Sequence, residues 1–91
     1  MEVNGYKIEP GAFLSGANLL LANLSSADLR GANLSSAVLR NADLRDAHLD
    51  GADLTDSILN NADLRDAHLD GADLTGADLT HANMPDGSIH D

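Results

Sequence analysis

Leucine returns at every fifth position of this chain: Leu14, Leu19, Leu24, Leu29, Leu34, Leu39, Leu44, Leu49, Leu54, Leu59, Leu64, Leu69, Leu74 and Leu79, with Met84 in the same register. Two places before each stands Ala, from Ala12 to Ala82, interrupted once by Ser57. One place before is usually Asp or Asn, as in Asn18, Asn23, Asp28, Asn33, Asp43, Asp53, Asp63, Asp73 and Asp78. The unit A-(D/N)-L-x-x therefore runs fifteen times over residues 12–86.

A period of five suits neither regular element. On an α-helix each step turns Leu by about 140° and spreads it round the cylinder. On a flat strand an odd period sends alternate Leu to opposite faces. Within one unit, however, Ala and Leu are two apart and share a face, so a short extended step points both inward while the last two residues turn the chain. Those last two are turn formers, such as Ser15-Gly16, Asp50-Gly51 and Thr75-Gly76. A chain that bends the same way every five residues coils, and equal coils stack with their backbones about 4.8 Å apart. Residues 41–55 recur unchanged as residues 61–75, an offset of 20. Four units per coil and four corners follow, although a recent tandem duplication leaves the same signature.

On these residues the chain resembles the pentapeptide repeat family, whose motif has a central Leu or Phe with Ala two before and Asn or Asp one before. The resemblance implies an all-β fold, a right-handed quadrilateral parallel β-helix with four repeats per coil. Fifteen units make just under four coils. The chain is similar to small bacterial, cyanobacterial-like members. The expected organisation is an N-terminal cap over residues 1–11, the β-helix over 12–86 and a C-terminal tail over 87–91.

Composition narrows what such a coil can do. Leu and Ala supply 30 of the 39 hydrophobic residues, while Phe, Tyr and Trp together number two, so the core is uniform rather than anchored on aromatics. Fifteen Asp and Glu against five Lys and Arg give a net charge of -10. That charge excludes direct binding to nucleic acid or to an anionic membrane. With no Cys there is no disulfide, thiolate metal site or cysteine nucleophile. The sequence shows no apolar run long enough for a signal peptide or a membrane span, and a cytoplasmic location is expected.

Stacked coils leave two open ends that off-motif residues should cover. Tyr6, Ile8 and Phe13, with Val3 and Pro10, are expected at one end, and Pro85 and Ile89, beside Met84, at the other. The second lid is the thinner, and two chains burying it end to end in a twofold homodimer is one solution. Leu20 and Leu21 form a further apolar patch at an outward corner.

The offset of 20 stacks Asp28, His48 and His68 in one column and Arg45 with Arg65 in another; Asp43 with Asp63 and Asp53 with Asp73 are like-charged pairs. Two imidazoles and a carboxylate are a candidate metal set, weakened by the lack of a fourth ligand and by an open, flat face. The acidic pairs are a candidate for weak divalent-cation binding. Asp46-x-His48-x-Asp50-Gly51 mimics the opening of an EF-hand loop but lacks the Glu at its twelfth position, where Ser57 stands. Neither GxGxxG nor GxxxxGK occurs, and a filled prism offers no concavity, so no catalytic residue and no cofactor are assigned.

The expected role is a non-enzymatic structural or protein-interaction module with an unidentified protein partner, Leu20, Leu21, Arg45 and Arg65 being candidate contacts. The alternative comes from the resemblance. Some larger members are acidic rods that mimic duplex DNA and bind DNA gyrase, but this chain is much shorter and lacks their central Phe residues.

Overall fold

A computed structural model describes residues 1–91. The chain opens with a hairpin of β1 (Glu2–Val3) and β2 (Tyr6–Lys7), paired antiparallel. Its two loop residues, Asn4 and Gly5, both have positive φ, as a tight hairpin turn requires.

From Phe13 onward the chain forms a parallel β-helix whose rungs are single bridged residues rather than long strands. Each residue in front of a central Leu pairs with its equivalent twenty further on, from Phe13 with Asn33 to Asp63 with Asn83. Every bridge uses two hydrogen bonds. Asp53 donates its N–H to the Ala32 carbonyl at 2.9 Å, and its own carbonyl accepts from the Leu34 N–H at 2.7 Å.

The corner is equally regular. From the second repeat on, the N–H of each repeat's Ala, or of Ser57, donates to the preceding Leu carbonyl three residues back, as Ala17 does to Leu14 at 3.0 Å. The residue before each unit's first position has positive φ at all fifteen places from Gly11 to His81, 68–74° at the six glycines and 58–61° at the other nine, so the fifth residue is left-handed in every unit but the last. A four-residue turn whose third residue is left-handed is the type II pattern, which explains Gly, Asn and Asp at so many fifth positions. Because this bend recurs every five residues, every Ala–x–Leu step faces the same axis.

The interior is closed through the middle of the stack. Leu19 to Leu64 are 0% exposed at every fifth position, with the paired alanines beside them. Ser57, the one departure from Ala, is buried too. The N-terminal end is capped by buried Ile8 and by half-buried Val3 and Tyr6, with the Tyr6 hydroxyl accepting from the Asn18 N–H at 3.2 Å.

Three expected cap residues do not cap, Pro10 being exposed. Phe13 is 79% exposed, because it fills the position before the central Leu, which faces outward in every unit. Ile89 is 58% exposed: it runs antiparallel beside Asn83, along one side of the end rather than across it. Pro85 is half-buried, and Leu69, Leu74, Leu79 and Met84 of the final coil are only partly covered.

Candidate interaction surface

With its interior filled and no pocket on its surface, the protein can meet other molecules only through outward positions and ends. The Asp or Asn before each Leu is one of those outward positions, and its carboxyl or amide oxygen turns back to accept the backbone N–H two residues on. Asn33 does so with Ser35 at 3.0 Å, Asp53 with Thr55 at 3.0 Å and Asp73 with Thr75 at 3.0 Å. These Asx turns satisfy the one corner N–H that neither the coil ladder nor the turn uses. Where another residue stands before Leu, at Phe13, Val38, His48, Ile58 and His68, the N–H of Ser15, Arg40, Asp50, Asn60 or Asp70 has no such acceptor. The sequence carries this signal in its Asp/Asn preference, whose physical cause only the geometry supplies.

A Ser, Thr or Arg two places on adds a second bond to the same oxygen or its neighbour. The hydroxyls of Thr75, Thr80 and Ser88 donate to Asp73, Asp78 and Asp86 at 2.6 Å each, and hold those carboxyls below the usual aspartate range. Arg30 grips Asp28 with two bonds, Nε to Oδ1 at 2.8 Å and Nη2 to Oδ2 at 2.7 Å, and pushes it down to about 2. Arg45 and Arg65 do the same to Asp43 and Asp63, whose carboxyls lie below their ordinary value for that reason.

The like-charged columns are thereby interleaved. Arg45 lies 2.7 Å from Asp43 and 3.9 Å from Asp63 one coil on, so acid and base alternate across the face. Arg45 and Arg65, candidate contacts from sequence, are thus tied to neighbouring aspartates, although each keeps about half of its side chain exposed. Leu20 and Leu21 stand at an outward corner, 41% and 68% exposed.

Asp28, His48 and His68 share a column but form no ligand set. Both oxygens of Asp28 are taken by Arg30, and the two imidazoles stack with centroids 4.6 Å apart and planes 8° apart. Parallel stacked rings aim their nitrogen lone pairs edgewise in separate planes, so they do not converge on one ion. No group of three His, Cys, Asp or Glu is placed to hold a metal ion, and no helix is long and apolar enough to cross a membrane.

The model of pentapeptide repeats matches residues 10–35, 22–61 and 47–86 with eight copies. The chain belongs to the pentapeptide repeat family. Its parallel coil is therefore the right-handed β-helix of that family, and the chain is a structural repeat module. A pentapeptide repeat protein from the cyanobacterium Cyanothece 51142 is 33% identical, with a TM-score of 0.75 over 82% of this chain and 49% of its own. One from Nostoc Pcc 7120 is 42% identical, with a TM-score of 0.64 over 79% and 64%. One from the Arabidopsis thaliana thylakoid lumen is 32% identical, with a TM-score of 0.60 over 90% and 68%. This pentapeptide repeat chain thus spans about half the length of the Cyanothece protein. No curated protein matches it.

Proposed function

We propose that this protein is a non-enzymatic protein-interaction module: a four-sided rod of just under four coils that holds outward side chains on a fixed lattice. The observation that carries this reading is the separation of tasks within each five-residue unit. Ala and Leu make the core, the fifth residue makes the corner, and the fourth residue and many outward groups are left over as display. A filled, pocketless solid of this kind suits recognition by surface complementarity and gives no enclosed site for chemistry.

The acidic DNA mimic that binds DNA gyrase or another nucleic-acid-binding protein is the weaker reading, and charge spacing weighs against it. A net -10 along a longest dimension of 30 Å is about one charge per 3 Å, whereas duplex DNA carries one per roughly 1.7 Å. Micromolar protein is therefore expected to leave gyrase supercoiling unaffected, and inhibition there would restore the mimic.

The interaction reading is tested by placing a photo-crosslinking residue singly at Leu21, Arg45 and Thr55, on different sides of the rod, in host cells. One protein captured from some positions and not from others is expected. Uniform or absent products at every position would remove the reading.

A further inference from the structure

We propose, resting on the interaction-module reading, that the C-terminal end of the coil binds an extended protein segment carrying apolar–basic–apolar triplets. Inside the stack, a bridged residue fits between an Ala carbonyl and a Leu N–H. Asp73 donates to the Ala52 carbonyl at 3.0 Å and accepts from the Leu54 N–H at 2.8 Å. Asp78 donates to the Ser57 carbonyl at 2.9 Å and accepts from the Leu59 N–H at 2.7 Å. One coil further on, the equivalent groups on three sides, Ala67 C=O with Leu69 N–H, Ala72 C=O with Leu74 N–H and Ala77 C=O with Leu79 N–H, make no backbone hydrogen bond within residues 1–91. They are open sheet edge.

The protein itself shows what fits such an edge. At the next side of the same coil, His90 donates to the Ala82 carbonyl at 2.8 Å, Met84 donates to the Ser88 carbonyl at 2.7 Å, and Ile89 between them bridges Asn83. An extended triplet, Ser88 to His90, fills that position. The sides carrying Leu69, Leu74 and Leu79 have no such occupant; the adjacent Leu74 and Leu79 sides are the two that follow an Asp rather than His68, and both leucines are partly exposed while Leu54 and Leu59 beneath them are 0% exposed. The outer residues of a docked triplet cover these leucines, and its middle residue faces outward as Asp73 and Asp78 do.

Charge selects the partner. A middle side chain docked there stands about one coil spacing, ~4.8 Å, from Asp73 or Asp78. After Arg65 the chain has six Asp and no Lys or Arg. A basic residue is attracted to this rim, an acidic one repelled, and a second copy of the chain would bring the same carboxylates against it. The docking positions lie five residues apart, so the matching segment reads apolar–basic–apolar, two turn residues, then apolar–basic–apolar.

The probe is the octapeptide Ala-Lys-Leu-Ser-Gly-Ala-Lys-Leu titrated into the full chain and followed by amide NMR. Shifts concentrated at Leu74, Gly76 and Leu79 are expected, with no binding when both Lys are replaced by Asp. Asp73→Asn with Asp78→Asn keeps the Asx acceptors and should weaken binding about fivefold, as for two exposed ion pairs. Four results would each overturn the proposal: no binding at millimolar peptide; equal binding by a peptide with Ser for every Ala and Leu; shifts on the lateral faces; or light scattering showing dimerisation through this end. Each leaves the photo-crosslinking test of the lateral faces standing, so failure here and failure of the module reading are separable.

Discussion

Ser57 donates its hydroxyl to the Leu54 carbonyl at 2.7 Å, the same carbonyl that accepts the Ser57 N–H at 3.1 Å. A serine therefore sits at an alanine position with its polar atom satisfied inside its own corner. Ser57→Ala removes a donor and leaves the Leu54 carbonyl its backbone bond, so stability should change by less than about 1 kcal/mol. Ser57→Val should cost about 1 to 3 kcal/mol by overpacking. Urea unfolding of the two variants checks both, and a valine variant as stable as wild type would mean the corner has spare volume.

The central leucines should be the costliest positions to change. Leu54 and Leu44 are 0% exposed in mid-stack. Leu54→Ala should lose about 2 to 5 kcal/mol, and Leu44→Lys, which buries an unpaired charge, should prevent folding. Far-ultraviolet dichroism and thermal melts read the outcome. A lysine variant that melts like wild type would mean that the register is wrong.

The Asx corner predicts a difference between two substitutions of one residue. Asp53 accepts from both the N–H and the hydroxyl of Thr55, at 3.0 and 2.7 Å. Asp53→Ala leaves that N–H without its acceptor and should cost about 1 kcal/mol, whereas Asp53→Asn keeps an oxygen in place and should cost less. Equal losses in chemical denaturation would show that the corner bond contributes nothing.

Leu21 holds a left-handed backbone, φ 60°, while 68% exposed. The side chain gains little from burial, and the left-handed backbone is strained for any residue that carries a Cβ. Leu21→Asn or Leu21→Gly should therefore raise the melting temperature, by up to about 1 kcal/mol of stability. A lower melting temperature in both would assign Leu21 a packing role not visible in its exposure.

Acid should remove a definable part of the stability. Thr75 and Thr80 hold Asp73 and Asp78 below the ordinary 3.8 through hydroxyl and backbone hydrogen bonds. The unfolded chain then takes up these protons first as pH falls, so their contribution is complete above the unfolded value and disappears as pH drops through the lower folded one. Asparagine accepts similar bonds and does not titrate. The melting-temperature gap between wild type and Asp73→Asn with Asp78→Asn should be constant from about pH 7 to 5 and shrink below about pH 4. A gap that widens in acid would reverse the sign of the argument.

The axis of this protein was legible in the sequence because every fifth residue is the same. Leu19 to Leu64 need no long-range information to be assigned inward: a period of five is incompatible with any regular element that would bury them otherwise. The twenty-residue stacking was legible as well, from the duplicated segment at 41–55 and 61–75, and the bridges follow that offset. The corner was legible as turn-forming residues but not as a left-handed fifth position, since Leu21 and His81 adopt it against their local preference. There the turn is imposed by the neighbouring coils.

What only the tertiary structure decided lies at the surface and the ends. The periodic pattern says that Asp43, Arg45, Asp63 and Arg65 face outward, but their alternation as ion pairs depends on side chains of two coils meeting. Phe13 and Ile89 were expected as lids by hydrophobicity, yet Phe13 obeys the outward register of its unit and Ile89 lies beside Asn83. The sequence determined the repeating step because that step is local. Which last-coil groups stay unpaired was decided by where the tail lands, a long-range placement that no five-residue period encodes.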